Sequence, residues 1–205
     1  MSIRLIVGLG NPGPRYARTR HNVGAVWLES LAARFGIRLE EQAKFRGLIG
    51  RGDILGRDLR LLFPSTYVNL SGDAVGAVAR FYKIEPAEIL VAYDEVAFPP
   101  GICRLKTGGG HNGHNGLKSI IAALGNDRGF ARLRIGVGHP GAAGDMVAYL
   151  TGVRMPTAER ELADRGSLVS DEVLALVLDG ELQQAMNVFH APPPGAESAE
   201  SEEPE

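Results

Sequence analysis

The sequence contains a single cysteine, Cys103, among 205 residues. No internal disulfide can form, and a lone thiol without a nucleophile's context suits a strand position in a reducing compartment. Long apolar runs are also missing. None approaches the roughly 20 residues a membrane helix needs. The opening MSIRLIVGLG has too short an apolar segment for a signal peptide and leads straight into a strand, so the chain is expected in the cytoplasm. Strong charge of either sign is absent, the net charge being −2. Two catalytic signatures are absent as well. Without a Gly-x-Ser-x-Gly elbow a serine triad lacks its strained nucleophile, and without His-Glu-x-x-His the helical zinc-protease motif is excluded. No internal repeat and no second domain boundary are seen.

The chain is 44% apolar and 22% charged, the balance of a soluble globular protein. Its length fits one domain with a substantial core. The charge is unevenly placed. Residues 191–205, APPPGAESAESEEPE, hold five Glu and no Lys or Arg, which leaves 19 acidic against 22 basic residues in 1–190, a body charge of +3. A weakly basic body with local clusters can bind a phosphate backbone. The sequence therefore predicts a domain over 1–190 and a Pro-, Glu- and Ser-rich unstructured tail over 191–205.

The most informative stretch is Val7 to Gly24, VGLGNPGPRYARTRHNVG. The apolar run Leu5-Ile6-Val7 reads as a buried strand and breaks into Asn-Pro-Gly turn chemistry. A helix follows, with Val23, Trp27, Leu28, Leu31 and Phe35 at helical spacing. Asn11 thus sits just past a strand and His21 just before a helix, where sites of open α/β sheets cluster. Gly-x-Gly after a strand also suggests a dinucleotide fold. The flanking prolines and the missing helix start at Gly13 argue against it. Taken singly, Asn11 reads as a turn residue and His21 as a surface histidine beside a helix.

Further along, Phe45–Ile54 and 58–63 read as strands. Pro64 to Gly72 is a loop running into a helix with Val75, Val78 and Tyr82 on one face, and Asn69 or Ser71 as its cap. Ile89 to Ala92 is a short strand that places Asp94 at its carboxyl end. Residues 102–106 form another strand, ending in Lys106. The loop TGGGHNGHNGL, Thr107 to Leu117, is rich in free backbone N–H groups and leads into a helix over 117–124, which Asn115 could cap. Residues 131–137, ARLRIGV, alternate as a half-buried strand with Arg132 and Arg134 on its polar face. Residues 146–150 read as a short helix, and 157–165 and 171–189 as two longer ones.

Asn11, His21, Asn69, Asp94, His114 and Asn115 all lie past strands or at loop–helix junctions. One histidine, one aspartate and several asparagines suit hydrolysis without a protein nucleophile: the imidazole takes a proton from water, the carboxylate orients it, and amide N–H groups stabilise an oxyanion. A metal hydrolase is the competing reading, since His21, Asp94, His111 and His114 offer N and O ligands and His111-x-x-His114 has ligand-like spacing. The pair lies in a glycine loop rather than on a helix, which weakens that reading. A third is a non-catalytic RNA-binding protein that keeps a phosphate grip without the chemistry.

Five motifs in one order carry a family resemblance: 7–13 with 19–22, Thr66-Tyr-Val-Asn-Leu-Ser71, Asp94-Glu95 with 99–101, 108–118, and 132–141. Together they closely resemble bacterial peptidyl-tRNA hydrolase over residues 3–190; the acidic tail has no counterpart in it. The resemblance implies a single α/β domain with a mixed twisted sheet flanked by helices. It implies cleavage of the ester joining peptide to the 3′ end of tRNA, without a metal or other cofactor. By the same resemblance, His21 is the general base, Asp94 orients it, and Asn11 positions water or the substrate carbonyl. Asn69 and Asn115 bind the peptide main chain, Tyr16 and Tyr67 line the cleft, and His114 sits in its gate loop. Lys106 and Arg134 grip the tRNA's terminal phosphate, a contact suited to these cations. Val68 stands where the family usually has methionine, a change expected to spare activity. The expected partner is peptidyl-tRNA alone, bound by a monomer, with no membrane and no protein partner.

Overall fold

The structure, a computed structural model, describes residues 1–191. The acidic stretch expected to lie unstructured falls outside the described residues, apart from Ala191. Seven strands build one sheet in the order β2-β3-β4-β1-β5-β7-β6. They are β1 (Leu5–Gly8), β2 (Glu40–Gln42), β3 (Gly47–Ile54), β4 (Arg57–Pro64), β5 (Ile89–Glu95), β6 (Cys103–Thr107) and β7 (Ala131–Gly136). β4, β1, β5 and β7 run parallel, while β2, β3 and β6 add antiparallel edges. The fold is thus a single α/β domain with a mixed sheet.

Helices α1 (Val23–Arg34), α4 (Thr157–Gly166), α5 (Asp171–Leu178) and α6 (Leu182–Phe189) cover one face of the sheet; α2 (Ser71–Tyr82) and α3 (Asn115–Ala123) cover the other. Strand alternation divides the core accordingly. Ile6, Leu61, Leu90 and Leu133 pack with Trp27, Leu28 and Leu174. Leu5, Val7, Leu62 and Val91 pack with Val75, Val78 and Ile120. Cys103 is buried in a strand as the sequence suggests, and burial pushes its thiol up to about 11.

β1 lies between β4 and β5; it leads into α1 on one face of the sheet, while its neighbour β4 leads into α2 on the other. This is the switch point at which α/β crevices open. Gly24 lets α1 approach closely there: a Cβ on it would lie 2.2 Å from the Ala92 carbonyl oxygen. That contact draws the turn at Arg20–Asn22 onto the end of β5.

Several local expectations need correction. The helix expected over 171–189 is broken into α5 and α6. Gly180 adopts φ +82 and a Cβ on it would meet the Met1 carbonyl at 2.1 Å, while the apolar periodicity continues across the break. The strand expected from Phe45 starts at Gly47, because Ala43–Phe45 is a 3₁₀ turn closed by Arg46 in the left-handed region. β2 has no apolar alternation (its sequence is Glu-Glu-Gln) and gave no sequence signal. Neither Asn69 nor Ser71 caps α2: Ser71 Oγ donates back to the Val68 carbonyl. Asn115 does not cap α3; His114 does, its Nδ1 accepting from Leu117 N–H. The short helix expected at 146–150 does start at Met146, but it widens into a π turn over Ala148–Gly152. β7 is interior rather than half-buried, and its Arg132 is only 2% exposed.

Candidate active site

The site is assembled where β1 and β5 end. The segment after β1 carries Asn11, which is locked on three sides. Its N–H donates to Asn22 Oδ1, its carbonyl accepts from Asn22 Nδ2, and its own Oδ1 accepts from Val68 N–H, each at 2.9 Å. The amide oxygen is thereby held in place, and Nδ2 is the part of Asn11 with no partner among the described residues. Asn22, which sequence reasoning passed over, is the clamp. Its only signal was adjacency to His21.

Asp94 lies near the end of β5 and is 3% exposed. Its Oδ1 sits 2.8 Å from His21 Nδ1 and 3.0 Å from His114 Nε2. Leu117 N–H occupies His114 Nδ1, so the proton of neutral His114 is on Nε2 and points at Asp94. By the same reasoning His21 donates from Nδ1, which leaves Nε2 with a free lone pair. Burial opposes ionisation of Asp94, but the facing imidazoles outweigh it and hold the carboxyl far below its ordinary range. For His21, burial acts to lower the pKa. The charge and hydrogen bond of Asp94 overcome it, and the net shift is upward from the ordinary 6.5. His114 is also braced by Tyr93, whose ring meets it edge-on at 5.0 Å.

A cleft of ≈ 290 Å³ opens over this group. Asn11, His21, Tyr67, Val68, Asn69, His114 and Asn115 line it, together with Met146, Val147, Leu150 and Thr151 from the far wall. Asn69 sits in the 3₁₀ turn before α2, and Asn115 opens α3. Both side chains are exposed, and neither amide has a hydrogen-bond partner among the described residues. Val68 is 2% exposed and packs against the start of α3, where a Cβ on Gly116 would lie 2.7 Å from its Cγ1. Tyr16 does not line the cleft itself; it reaches it through Tyr67, ring to ring at 6.2 Å in a T shape. The far wall was not singled out from the sequence, whose apolar and small residues there carry no chemical signature.

Lys106 and Arg134 are not in the cleft. The register pairs Lys106 with Arg132 and Arg104 with Arg134, so the four cations share one face of β6 and β7. Lys106 is exposed and has no acidic partner among the described residues. Arg134 donates to Glu95 from Nε and also pairs with it through Nη2 at 2.9 Å, beneath which Phe98 lies 4.5 Å from the guanidinium carbon.

Among the described residues, the group able to hold a metal ion is His21, Asp94 and His114, whose ligand atoms lie within 4.8 Å of one another. His111 is not in it; its Nδ1 accepts from Gly113 N–H. To ligate a cation, His114 would have to give up the proton now directed at Asp94, since its Nδ1 is taken by Leu117 N–H, whereas His21 could ligate through its free Nε2. As built, the arrangement suits proton transfer: a fixed carboxylate, an oriented imidazole with a free Nε2, and unpaired amides around a cleft.

A family model described as peptidyl-tRNA hydrolase matches residues 5–198. The peptidyl-tRNA hydrolase of Aeromonas hydrophila is 50% identical over 189 residues, 92% of this chain and 95% of that one. That of Pseudomonas fluorescens is 51% identical over 190 residues, covering 93% and 97%. Among solved structures, peptidyl-tRNA hydrolase from Acinetobacter baumannii superposes with a TM-score of 0.87 at 46% identity, covering 92% of this chain and 95% of that one. A complex of peptidyl-tRNA hydrolase with N-propanol gives a TM-score of 0.88 at 46% identity, covering 94% and 96%.

Proposed function

The chain belongs to the peptidyl-tRNA hydrolase family and is a hydrolase of that class; on that premise we propose that it cleaves the ester between peptide and tRNA by water activated at His21, without a metal. The observation that carries this reading is the hydrogen bond from His21 Nδ1 to Asp94, which leaves Nε2 facing a cleft. Water gives a proton to His21 Nε2 as its oxygen attacks the ester carbonyl carbon. The negative charge that develops on the carbonyl oxygen is met by amide N–H groups, for which Asn11 Nδ2 is the best-anchored donor. As the tetrahedral species collapses, the carbon–oxygen bond to the ribose breaks. Imidazolium returns its proton to the departing 3′ oxygen, and the peptide leaves as a carboxylic acid that ionises. Asp94 stays charged throughout and stabilises the imidazolium.

Asn69 and Asn115 hold the peptide main chain, which suits an enzyme indifferent to peptide sequence; Tyr67, with Tyr16 against it, forms the cleft's outer wall. His114 secures the second lone pair of Asp94 Oδ1. Lys106 and Arg134 bind the terminal phosphate of the RNA, with Lys106 as the freer cation. Residues 1–190 act as one domain, and every group in the scheme comes from one chain, which suits a cytoplasmic monomer. Among the described residues no helix is long and apolar enough to cross a membrane. The test is release of free tRNA from an N-acetyl-aminoacyl-tRNA, with and without EDTA. Undiminished turnover in EDTA is expected. Loss that returns with a divalent cation would replace the scheme with a metal bound at His21, Asp94 and His114.

A further inference from the structure

Arg132 is the largest of the fully buried side chains, at 2% exposure. The sequence pattern would leave it on a solvated face, beside Arg134. Instead the glycine loop between β6 and α3 folds over it. Its Nη1 donates to the carbonyl of Gly110 and its Nη2 to that of Gly109. Its guanidinium carbon lies 4.6 Å from the centre of the Phe130 ring. It has no carboxylate partner among the described residues, since Glu95 is engaged by Arg134. A buried cation without an anion is costly; the loop's carbonyl groups take up both terminal nitrogens, while Nε has no hydrogen-bond partner among the described residues.

We propose that Arg132 is a positioning residue of the hydrolytic site: it fixes the loop that delivers His114 to Asp94 and Asn115 to the cleft. The inference rests on the hydrolase reading above. The path is short. Gly110 is four residues before His114, and a hydrogen bond of 2.8 Å from His114 N–H to the His111 carbonyl closes the turn between them. The loop's other end is tied down by Gly108 N–H donating to Phe130. Gly109 has φ +104, a conformation strained for any other residue, and a Cβ there would lie 3.1 Å from Lys106 Nζ. The planar fork matches two successive carbonyl groups in a way that one ammonium cannot. Arg132 is shut off from solvent, so it acts through the loop rather than on the substrate.

The test uses the full chain and two substrates: N-acetyl-aminoacyl-tRNA, and the same acyl group esterified to adenosine, which has no RNA body. Arg132→Lys keeps the charge and loses the fork. Gly109→Ala attacks the same contact from the exposed loop and guards against a buried variant that fails to fold. Small displacements of catalytic groups are expensive, so both variants should lose roughly tenfold in kcat on both substrates, with KM for the adenosine ester within about twofold of wild type. Wild-type kcat in both variants would overturn the inference. So would a defect seen only as a raised KM on the tRNA substrate, which would make Arg132 a phosphate-binding cation. Failure of the wild type on both substrates would instead overturn the hydrolase reading, and this inference with it.

Discussion

Replacing Asp94 with Asn removes a charge while leaving a near-identical shape. The substitution isolates what the carboxylate does, because an amide oxygen at Oδ1 can still accept from both His21 Nδ1 and His114 Nε2. What is lost is the attraction between the carboxylate and the imidazolium that forms as water is deprotonated. At a charge separation of about 4 Å and an effective dielectric near 20, that attraction is about 4 kcal/mol. Each 1.36 kcal/mol is tenfold in rate, so the upper bound is about 10³. His21 is partly open to the cleft, so a fall in kcat of roughly 10² to 10³ is expected, with little change in KM. The pH profile should move as well. On the proposed scheme the wild-type enzyme should lose activity as pH falls through the His21 pKa, which Asp94 raises from the ordinary 6.5. With the carboxylate gone, burial is the dominant influence and it lowers that pKa, so the acidic limb of kcat/KM must shift to lower pH. The assay is release of tRNA followed between about pH 5 and 9. A loss under about fivefold with an unmoved acidic limb would refute the electrostatic role given to Asp94.

Other consequences follow from the same geometry. Substituting Lys106 and Arg134 together by Gln should raise KM for the tRNA substrate about tenfold, leave kcat within about twofold, and flatten the dependence of KM on salt; the adenosine ester should be unaffected. Gly24→Ala would press a methyl against the Ala92 carbonyl, and thermal denaturation should show a loss of about 1–3 kcal/mol. Because that contact seats the turn bearing His21, kcat should fall as well. Asn22→Ala removes both hydrogen bonds that clamp the Asn11 backbone, and kcat should drop about tenfold while circular dichroism is unchanged.

The parts of this molecule legible in the sequence are those written in local patterns. The apolar run at Leu5–Val7 breaking into Asn-Pro-Gly placed Asn11 past a strand, and the run ending at Ala92 placed Asp94 at a strand's carboxyl end, although β5 itself runs on to Glu95. Helical spacing located α1 and α2. What stayed hidden depends on partners distant in sequence. The second histidine on Asp94 lies 20 residues away, and its bond requires His114 to cap α3 with Nδ1. Arg132 alternates with Leu133 as a solvated residue would, and only the fold of the glycine loop buries it. The break at Gly180 stayed hidden for a different, local reason: the Gly180 and Glu181 N–H groups close α5 on the Val177 and Leu176 carbonyls with Gly180 in the left-handed region, while the apolar periodicity runs on across the cap. β2 joins β3 through its backbone ladder, and its polar side chains bury no apolar face, so they carry no periodic signal.

The central claim is that the lone pair at His21 Nε2 takes the proton from water. It is tested most directly by the single-turnover rate of His21→Ala on N-acetyl-aminoacyl-tRNA, beside its measured affinity for the same substrate. General-base catalysis is worth roughly 10² to 10⁴. A rate lower by at least 10², with Kd within about threefold of wild type, is the expected result. A variant that binds normally and cleaves at the wild-type rate would contradict the account.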